Sequence, residues 1–98
     1  MTTIPIDAYI VGTLMRDLVG HDRRPSAYLV YLYLWRITHG RGDTKAQIAL
    51  QDIAEDVGVS KRSVQEALNW LSKRKLVTVA RQSTTAVPVY SVLRPWRR

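Results

Sequence analysis

The strongest constraint on the fold comes from one segment between Leu50 and Leu76, with the sequence LQDIAEDVGVSKRSVQEALNWLSKRKL. Residues 52–57 predict a short helix. Gly58 can take a positive φ at negligible steric cost, as a sharp turn requires, and Ser60 is placed to cap a second helix. The inward positions expected from apolar spacing are Ile53, Ala54, Val57, Val59, Val64, Ala67, Leu68 and Leu71. The segment therefore predicts two short helices that meet at a tight turn.

Two further helices are predicted upstream of this segment. The first covers residues 7–19, with Asp7 as its N-cap and Gly20 in the left-handed position after its C-terminus. The second begins near Ser26, its predicted N-cap, and ends near Thr38 or His39. Its sequence, AYLVYLYLWRIT, is apolar almost all the way round. Such a helix is expected to lie in the centre of the core or to be covered on two sides.

The remaining ordered segments have the pattern of short strands. Ile48 and Leu50 alternate with small or polar neighbours, as in a short strand. Residues 76–80 are rich in β-branched side chains and are predicted to pair with residues 87–93, across a polar tip at residues 81–86. The predicted fold class is therefore mainly α with a small antiparallel β-hairpin (α+β). We divide it into an N-terminal helix and loop at residues 1–24, which dimerises or covers the core, and a larger domain at residues 25–98.

The string Ile53-Ala54, Gly58-Val59-Ser60, Val64, Ala67-Leu68, Leu71 and Leu76-Val77 resembles the winged helix-turn-helix families of bacterial and phage regulators. The resemblance covers residues 25–93 and also extends to plasmid and phage replication proteins. It implies a winged helix-turn-helix with an extra N-terminal helix, in which helix 60–74 lies in the major groove of double-stranded DNA. It also implies that the wing at residues 81–86 contacts the backbone or the minor groove. The predicted function is a small transcriptional repressor; a role in plasmid or phage replication or partition stays open.

Candidate DNA contacts follow from the face of helix 60–74 that points away from Val64. Arg62 can bind guanine bidentately, Gln65 or Asn69 can pair with adenine, and Glu66 can accept from cytosine. The groups suited to phosphate are Ser60, Lys61, Ser63, Lys73 and Arg74, and the resemblance adds Arg81, Ser83 and Thr84 in the wing. The alternatives are ordinary solvated helix residues and a hairpin that never touches DNA. The acidic residues Asp52, Glu55 and Asp56 are expected to turn away or to pair with Lys or Arg.

The second predicted helix carries an aromatic face that needs a cover. Tyr and Trp are common anchors of protein interfaces, and a domain of this size has a thin stability margin. We therefore expect a homodimer whose interface includes Ile10, Leu14, Leu18, Tyr28, Tyr31 and Trp35. The alternative is that the first helix folds over this face within one chain.

The charge of the chain is concentrated in its C-terminal part. The net charge is +7, and from Ser60 to the end there are nine Lys and Arg residues and one acid, Glu66. Such a basic region indicates a polyanionic partner; an acidic protein is the alternative to DNA. The basic tail at residues 94–98 could add phosphate contacts, or Trp96 could fold back on the core.

Composition excludes several other classes of function. The chain has no cysteine, which removes disulfide scaffolds, thiolate metal sites and thiol catalysis. The longest apolar run, Ala27 to Trp35, is too short for a membrane span, and the N-terminus lacks a signal-peptide pattern. His21 and His39 stand alone, without metal-ligand spacing. We expect a cytoplasmic, nucleoid-associated protein with no enzymatic activity, metal, cofactor or small-molecule ligand.

Overall fold

The N-terminal helix is wider than an ordinary α-helix. The computed structural model describes residues 2–97, and this helix comprises Ile10–Leu14 and Arg16–His21. Its backbone bonds reach back five residues, as from the Met15 N–H to the Ile10 carbonyl. Gly20 lies inside the helix, and Arg23 takes the left-handed conformation instead, with φ +57°. The predicted end at Gly20 is therefore wrong, because the helix continues until it brings Asp22 to partners on another helix.

The central helix, α1, spans Pro25–Ile37. Arg24 occupies the N-cap and Pro25 the first helical position, which suits proline because its missing N–H would have no helical partner there. The predicted cap at Ser26 is therefore wrong. At the other end the buried Thr38 hydroxyl donates to the Leu34 carbonyl at 2.7 Å, and a short 3₁₀ turn, His39–Arg41, follows. Within residues 2–97, no helix is long and apolar enough to cross a membrane.

Helices α2 (Leu50–Val57) and α3 (Lys61–Lys73) form the predicted pair. Gly58 turns the chain between them with φ +82°, and the Ser60 hydroxyl accepts a hydrogen bond from the Ser63 N–H at 3.0 Å. Both predictions are confirmed. Six of the eight predicted inward positions are buried: Ile53, Ala54, Val64, Ala67, Leu68 and Leu71. The other two, Val57 and Val59, are half-buried and pack against this core.

Three short strands form one antiparallel sheet: β1 (Lys45–Gln47), β2 (Val77–Ala80) and β3 (Val89–Val92), in the order β1-β3-β2. The hairpin of β2 and β3 is confirmed, and the fold is the predicted mainly α architecture with a small antiparallel sheet. The strand expected at Ile48 and Leu50 lies earlier in the chain. Leu50 already begins α2, because Ala49 takes the extended conformation of a helix N-cap.

The N-terminal helix covers α1 within a single chain. Tyr28 donates to the Ile10 carbonyl at 3.0 Å, and Trp35 donates to the Pro5 carbonyl at 2.9 Å. The residues assigned to a subunit interface are instead at most 7% exposed and belong to one core cluster: Ile10, Leu14, Leu18, Tyr28, Tyr31 and Trp35. Those six side chains are already occupied inside the chain, so the exposed aromatic face expected from the sequence does not exist. Residues from both 1–24 and 25–98 contribute to this core.

Candidate nucleic-acid interface

The outer face of α3 carries polar side chains whose side-chain hydrogen bonds stay within the helix. Arg62 Nε contacts Glu66 Oε1 at 3.2 Å, and Gln65 Nε2 donates to Asn69 Oδ1 at 3.1 Å. The Arg62 side chain is 89% exposed. Exposed ion pairs of this kind contribute only about 0–1 kcal/mol. These four side chains can therefore exchange their intrahelical partners for groups in a groove. Lys73 lies one turn beyond Asn69 on the same helix.

The N-terminal end of α3 is arranged differently from its outer face. The Ser60 hydroxyl caps the helix and also donates to the Ser63 hydroxyl at 3.0 Å. Lys61 is exposed. Ser63 is half-buried and lines a small cleft of about 130 Å³ beside Arg24 and the start of α1. Of the three predicted phosphate contacts here, Lys61 is the most accessible, whereas the two serines already serve the helix cap.

A network around Asp22 fixes the flank of α3. Arg74 donates to the Asp22 carboxylate at 2.8 and 3.1 Å, and Trp70 Nε1 donates to it at 2.9 Å. Asp22 is only 5% exposed as a side chain. Burial alone would raise the pKa of Asp22, but hydrogen bonds from His21, Trp70 and Arg74 outweigh burial and hold it below its usual value. Arg74, predicted to contact phosphate, is thus engaged within the protein.

Two cations, Arg24 and Lys73, lie near the face of the Trp70 ring. The Arg24 guanidinium sits 4.4 Å above the Trp70 ring, and the Lys73 ammonium lies 6.0 Å from the same ring. Cations over an indole face are attracted by its quadrupole. Neither Asp22 nor Arg24 is marked by a motif in the sequence. The only signal was the pair Trp70 and Arg74, spaced one turn apart on one side of the helix, and periodicity cannot show which distant loop they meet.

The wing tip presents the predicted residues to solvent. Arg81, Ser83 and Thr84 are exposed between β2 and β3. The Ser83 hydroxyl lies 3.3 Å from the Thr85 hydroxyl, and the Ser83 carbonyl accepts from the Ala86 N–H. The tip is therefore accessible to a ligand, and it carries one cation, Arg81.

The carboxylates of α2 bond to uncharged groups rather than to Lys or Arg. Asp56 accepts from the Tyr33 hydroxyl at 2.6 Å, and Glu55 accepts from Gln51 at 2.8 Å. Burial and the adjacent Asp56 raise the pKa of Tyr33 to about 12. The exposed Asp52 also belongs to this acidic helix, which opposes phosphate contact there and leaves α3 as the helix suited to DNA.

The basic tail folds back onto the N-terminal segment. Trp96 stacks on Tyr9 at 4.6 Å and donates to Asp7 at 3.0 Å. Arg97 pairs with the same carboxylate at 2.9 Å. This arrangement is the second of the two left open by the sequence; Arg98 lies outside the described residues.

Each histidine has a polar partner within hydrogen-bond distance. His21 Nδ1 lies 2.9 Å from Asp22, and His39 Nε2 lies 2.9 Å from the Val92 carbonyl. Among residues 2–97 there is no group of three or more His, Cys, Asp or Glu side chains that could hold a metal ion.

The sequence of this region matches a known protein family. The family of bacterial regulatory proteins called the gntR family matches residues 35–87, more than half of the chain. The searches of curated proteins and of solved structures found no match to this chain. The matched region contains α2, Gly58, α3, β2 and the wing tip, and leaves the N-terminal helix outside. The chain therefore belongs to the GntR family of bacterial regulatory proteins and carries a winged helix-turn-helix DNA-binding domain.

Proposed function

We propose that this regulator is a repressor that binds double-stranded DNA sequence-specifically, with α3 in the major groove and the wing at the backbone or the minor groove. The observation that carries the proposal is the asymmetry of α3. Its inner face is buried, its flank is fixed by Asp22, and its outer polar side chains bond only to one another. Repression by occupying an operator requires DNA binding alone. Such binding would hold the protein at the nucleoid.

Each exposed residue of α3 has a role that fits its chemistry. Arg62 would leave Glu66 to bind guanine O6 and N7, while Gln65 or Asn69 would separate to pair with adenine. Glu66, once released, can accept from cytosine N4. Position and charge suit the remaining candidates to phosphate: Ser60, Lys61, Ser63, Lys73, Arg81, Ser83 and Thr84. Base contacts would then set the sequence preference, and phosphate contacts the register.

The assembly proposed for this regulator is a homodimer built on the outer side of the N-terminal helix. Val11 and Met15, one turn apart there, are 52% and 42% exposed. Residues 8–15 carry no charge, whereas the whole chain carries +7, so two copies repel each other least along this stretch. A dimer would present two copies of α3 to half-sites about one helical turn apart.

Selection of bound duplexes from a random pool and from genomic DNA tests the DNA assignment. We expect one enriched sequence, and its genomic position would distinguish an operator near a promoter from a replication or partition site. A salt titration on the enriched duplex should give a slope of log K against log salt of roughly −4 to −5 per protomer, because about that many phosphates are neutralised. Absence of any retained DNA at low salt would contradict the proposal and favour an acidic protein partner.

Sedimentation at micromolar concentration tests the assembly separately. We expect a dimer that the double substitution Val11→Glu and Met15→Glu converts to a monomer. Leu29→Glu is the control, because Leu29 is 47% exposed on α1 and lies outside the proposed interface. A wild-type chain that sediments as a monomer would remove the dimer and leave DNA binding by a single protomer.

A further inference from the structure

A basic cleft lies at the end of the sheet away from the wing tip. It has a volume of about 620 Å³, and its lining includes the cations Lys45, Arg94 and Arg97 and the hydroxyl residues Thr44, Thr78 and Ser91. None of the described residues that line it carries a carboxylate. A second depression of about 340 Å³ shares Arg94 and Arg97 with the first, so the two form one continuous surface, with Asp7 and Asp43 confined to the second.

The register of the sheet builds one wall of this cleft. Lys45 pairs with Ser91, and Ser91 pairs with Thr78 on the other side. Directly opposed residues on adjacent strands point to the same face, and neighbouring strands lie about 4.8 Å apart. An ammonium group and two hydroxyl groups therefore stand in one row across all three strands, on the solvent-facing side of the sheet.

The start of the tail also lines the cleft. The Arg94 guanidinium lies 6.0 Å from the centre of the Trp35 ring. Arg97 forms an ion pair with Asp7. The ion pairs between described residues include neither Lys45 nor Arg94. His39 borders the cleft with its Nε2 toward the Val92 carbonyl. Among the described residues, two cations that form no ion pair thus line the cleft together with hydroxyl groups.

From this arrangement we infer that the cleft binds the phosphate group of a small phosphorylated molecule. Arginine and lysine beside hydroxyl donors are the groups that hold phosphate oxygens through charge-assisted hydrogen bonds. The volume falls in the range of small-molecule sites, about 300–1,000 Å³. The site is formed by β1, β2, β3 and the tail, not by the outer face of α3, so a ligand there is distinct from DNA held by the recognition helix.

Calorimetric titration of the full chain with pyrophosphate, in the absence of DNA, tests the site. We expect saturable binding that the double substitution Lys45→Ala and Arg94→Ala weakens about tenfold or more, since this variant loses two charged donors. The control removes two exposed cations elsewhere, Arg16→Ala and Arg36→Ala, and should keep affinity within about twofold because long-range charge is screened. Thermal unfolding without ligand verifies that both variants fold.

Two results would overturn the inference. Equal losses in the double variant and in its charge-matched control would mean that pyrophosphate responds only to net charge. A second titration, with duplex DNA at several salt concentrations, separates a small ligand from backbone phosphate. We expect the salt slope to be unchanged in the double variant; a decrease of about two would assign the cleft to the DNA backbone.

Discussion

The two sides of α3 are held in opposite ways. On the flank, Trp70 and Arg74 reach a nearly buried carboxylate about fifty residues away in sequence, at Asp22. On the outer face, Arg62 and Gln65 bond only to residues one turn along the same helix. Groups held by distant partners fix where a helix lies, and groups without them remain available to a ligand. The difference indicates that the protein fixes the helix through one side and leaves the other side available, which is the side that we propose contacts DNA.

Removal of the Asp22 carboxylate should have the largest effect on stability, because this carboxylate accepts the hydrogen bonds that fix the flank of α3. Asp22→Ala leaves the Trp70 N–H and the Arg74 guanidinium without their acceptor, and we expect a loss of about 2–3 kcal/mol in the free energy of unfolding. Urea denaturation measures it, with Asp43→Ala as the control because Asp43 is exposed. Equal stability of the two variants would show that the Asp22 network contributes nothing to holding α3.

The contribution of the Asp22 carboxylate to the stability of the protein should depend on pH. The pKa of Asp22 is lower in the folded protein than its usual value, so the unfolded chain binds this proton first as pH falls. The stability contributed by ionised Asp22 is complete above the ordinary carboxyl pKa, about 3.9, and is lost as pH falls through the lower folded value. The stability difference between wild type and Asp22→Asn should therefore shrink only in that acidic range.

Arg62→Ala tests the free side and should have the next largest effect, on DNA affinity rather than on folding. Loss of a bidentate contact to guanine costs about 1–3 kcal/mol and relaxes preference at one base position. Fluorescence anisotropy with the selected duplex and its single-base variants measures both. Arg62→Lys is the matched substitution, because it keeps the charge but not the planar pair of donors. If Arg62→Lys retained full base preference, Arg62 would be a phosphate contact.

The sequence predicted the local features of this arrangement and missed the long-range ones. Gly58, Ser60 and the buried face of α3 follow from conformational freedom, capping and helical spacing, which operate within a few residues. The contact of Asp22 with Arg74 joins residues 52 positions apart, and no periodic pattern encodes such a partner. Likewise, the apolar surface of α1 showed that a cover was needed, but not that the same chain supplies it.

The position of β1 was missed for a different reason. Only Ala46 in this three-residue strand is partly buried, between the exposed Lys45 and Gln47. Alanine has low β propensity, so the strand carries almost no signal of its own. It forms because β3 offers a register in which Ala46 lies opposite the buried Tyr90. Tertiary pairing therefore outweighs local preference there.

Ser60→Ala tests the N-cap of α3 and should lower the stability of the protein by less than Asp22→Ala does. The Ser60 hydroxyl accepts from the Ser63 N–H, and loss of such a cap typically costs about 1 kcal/mol of stability. Ser72→Ala, an exposed change near the other end of α3, should leave the unfolding midpoint nearly unchanged. Base preference should stay the same in both variants. A change in preference from Ser60→Ala would mean that Ser60 contacts a base and not only its own helix.

Lys61→Ala should have the smallest effect and the most specific signature. A single phosphate contact contributes the same free energy on every duplex, so affinity should fall about equally for matched and mismatched sequences, and the salt slope should decrease by about 0.9. Arg41→Ala removes the same charge from the 3₁₀ turn that follows α1, outside the helix-turn-helix, and should leave the slope unchanged. If Lys61→Ala instead altered base preference, the N-terminal end of α3 would lie deeper in the groove than Arg62, and the assignment of base and phosphate contacts on this helix would have to be exchanged.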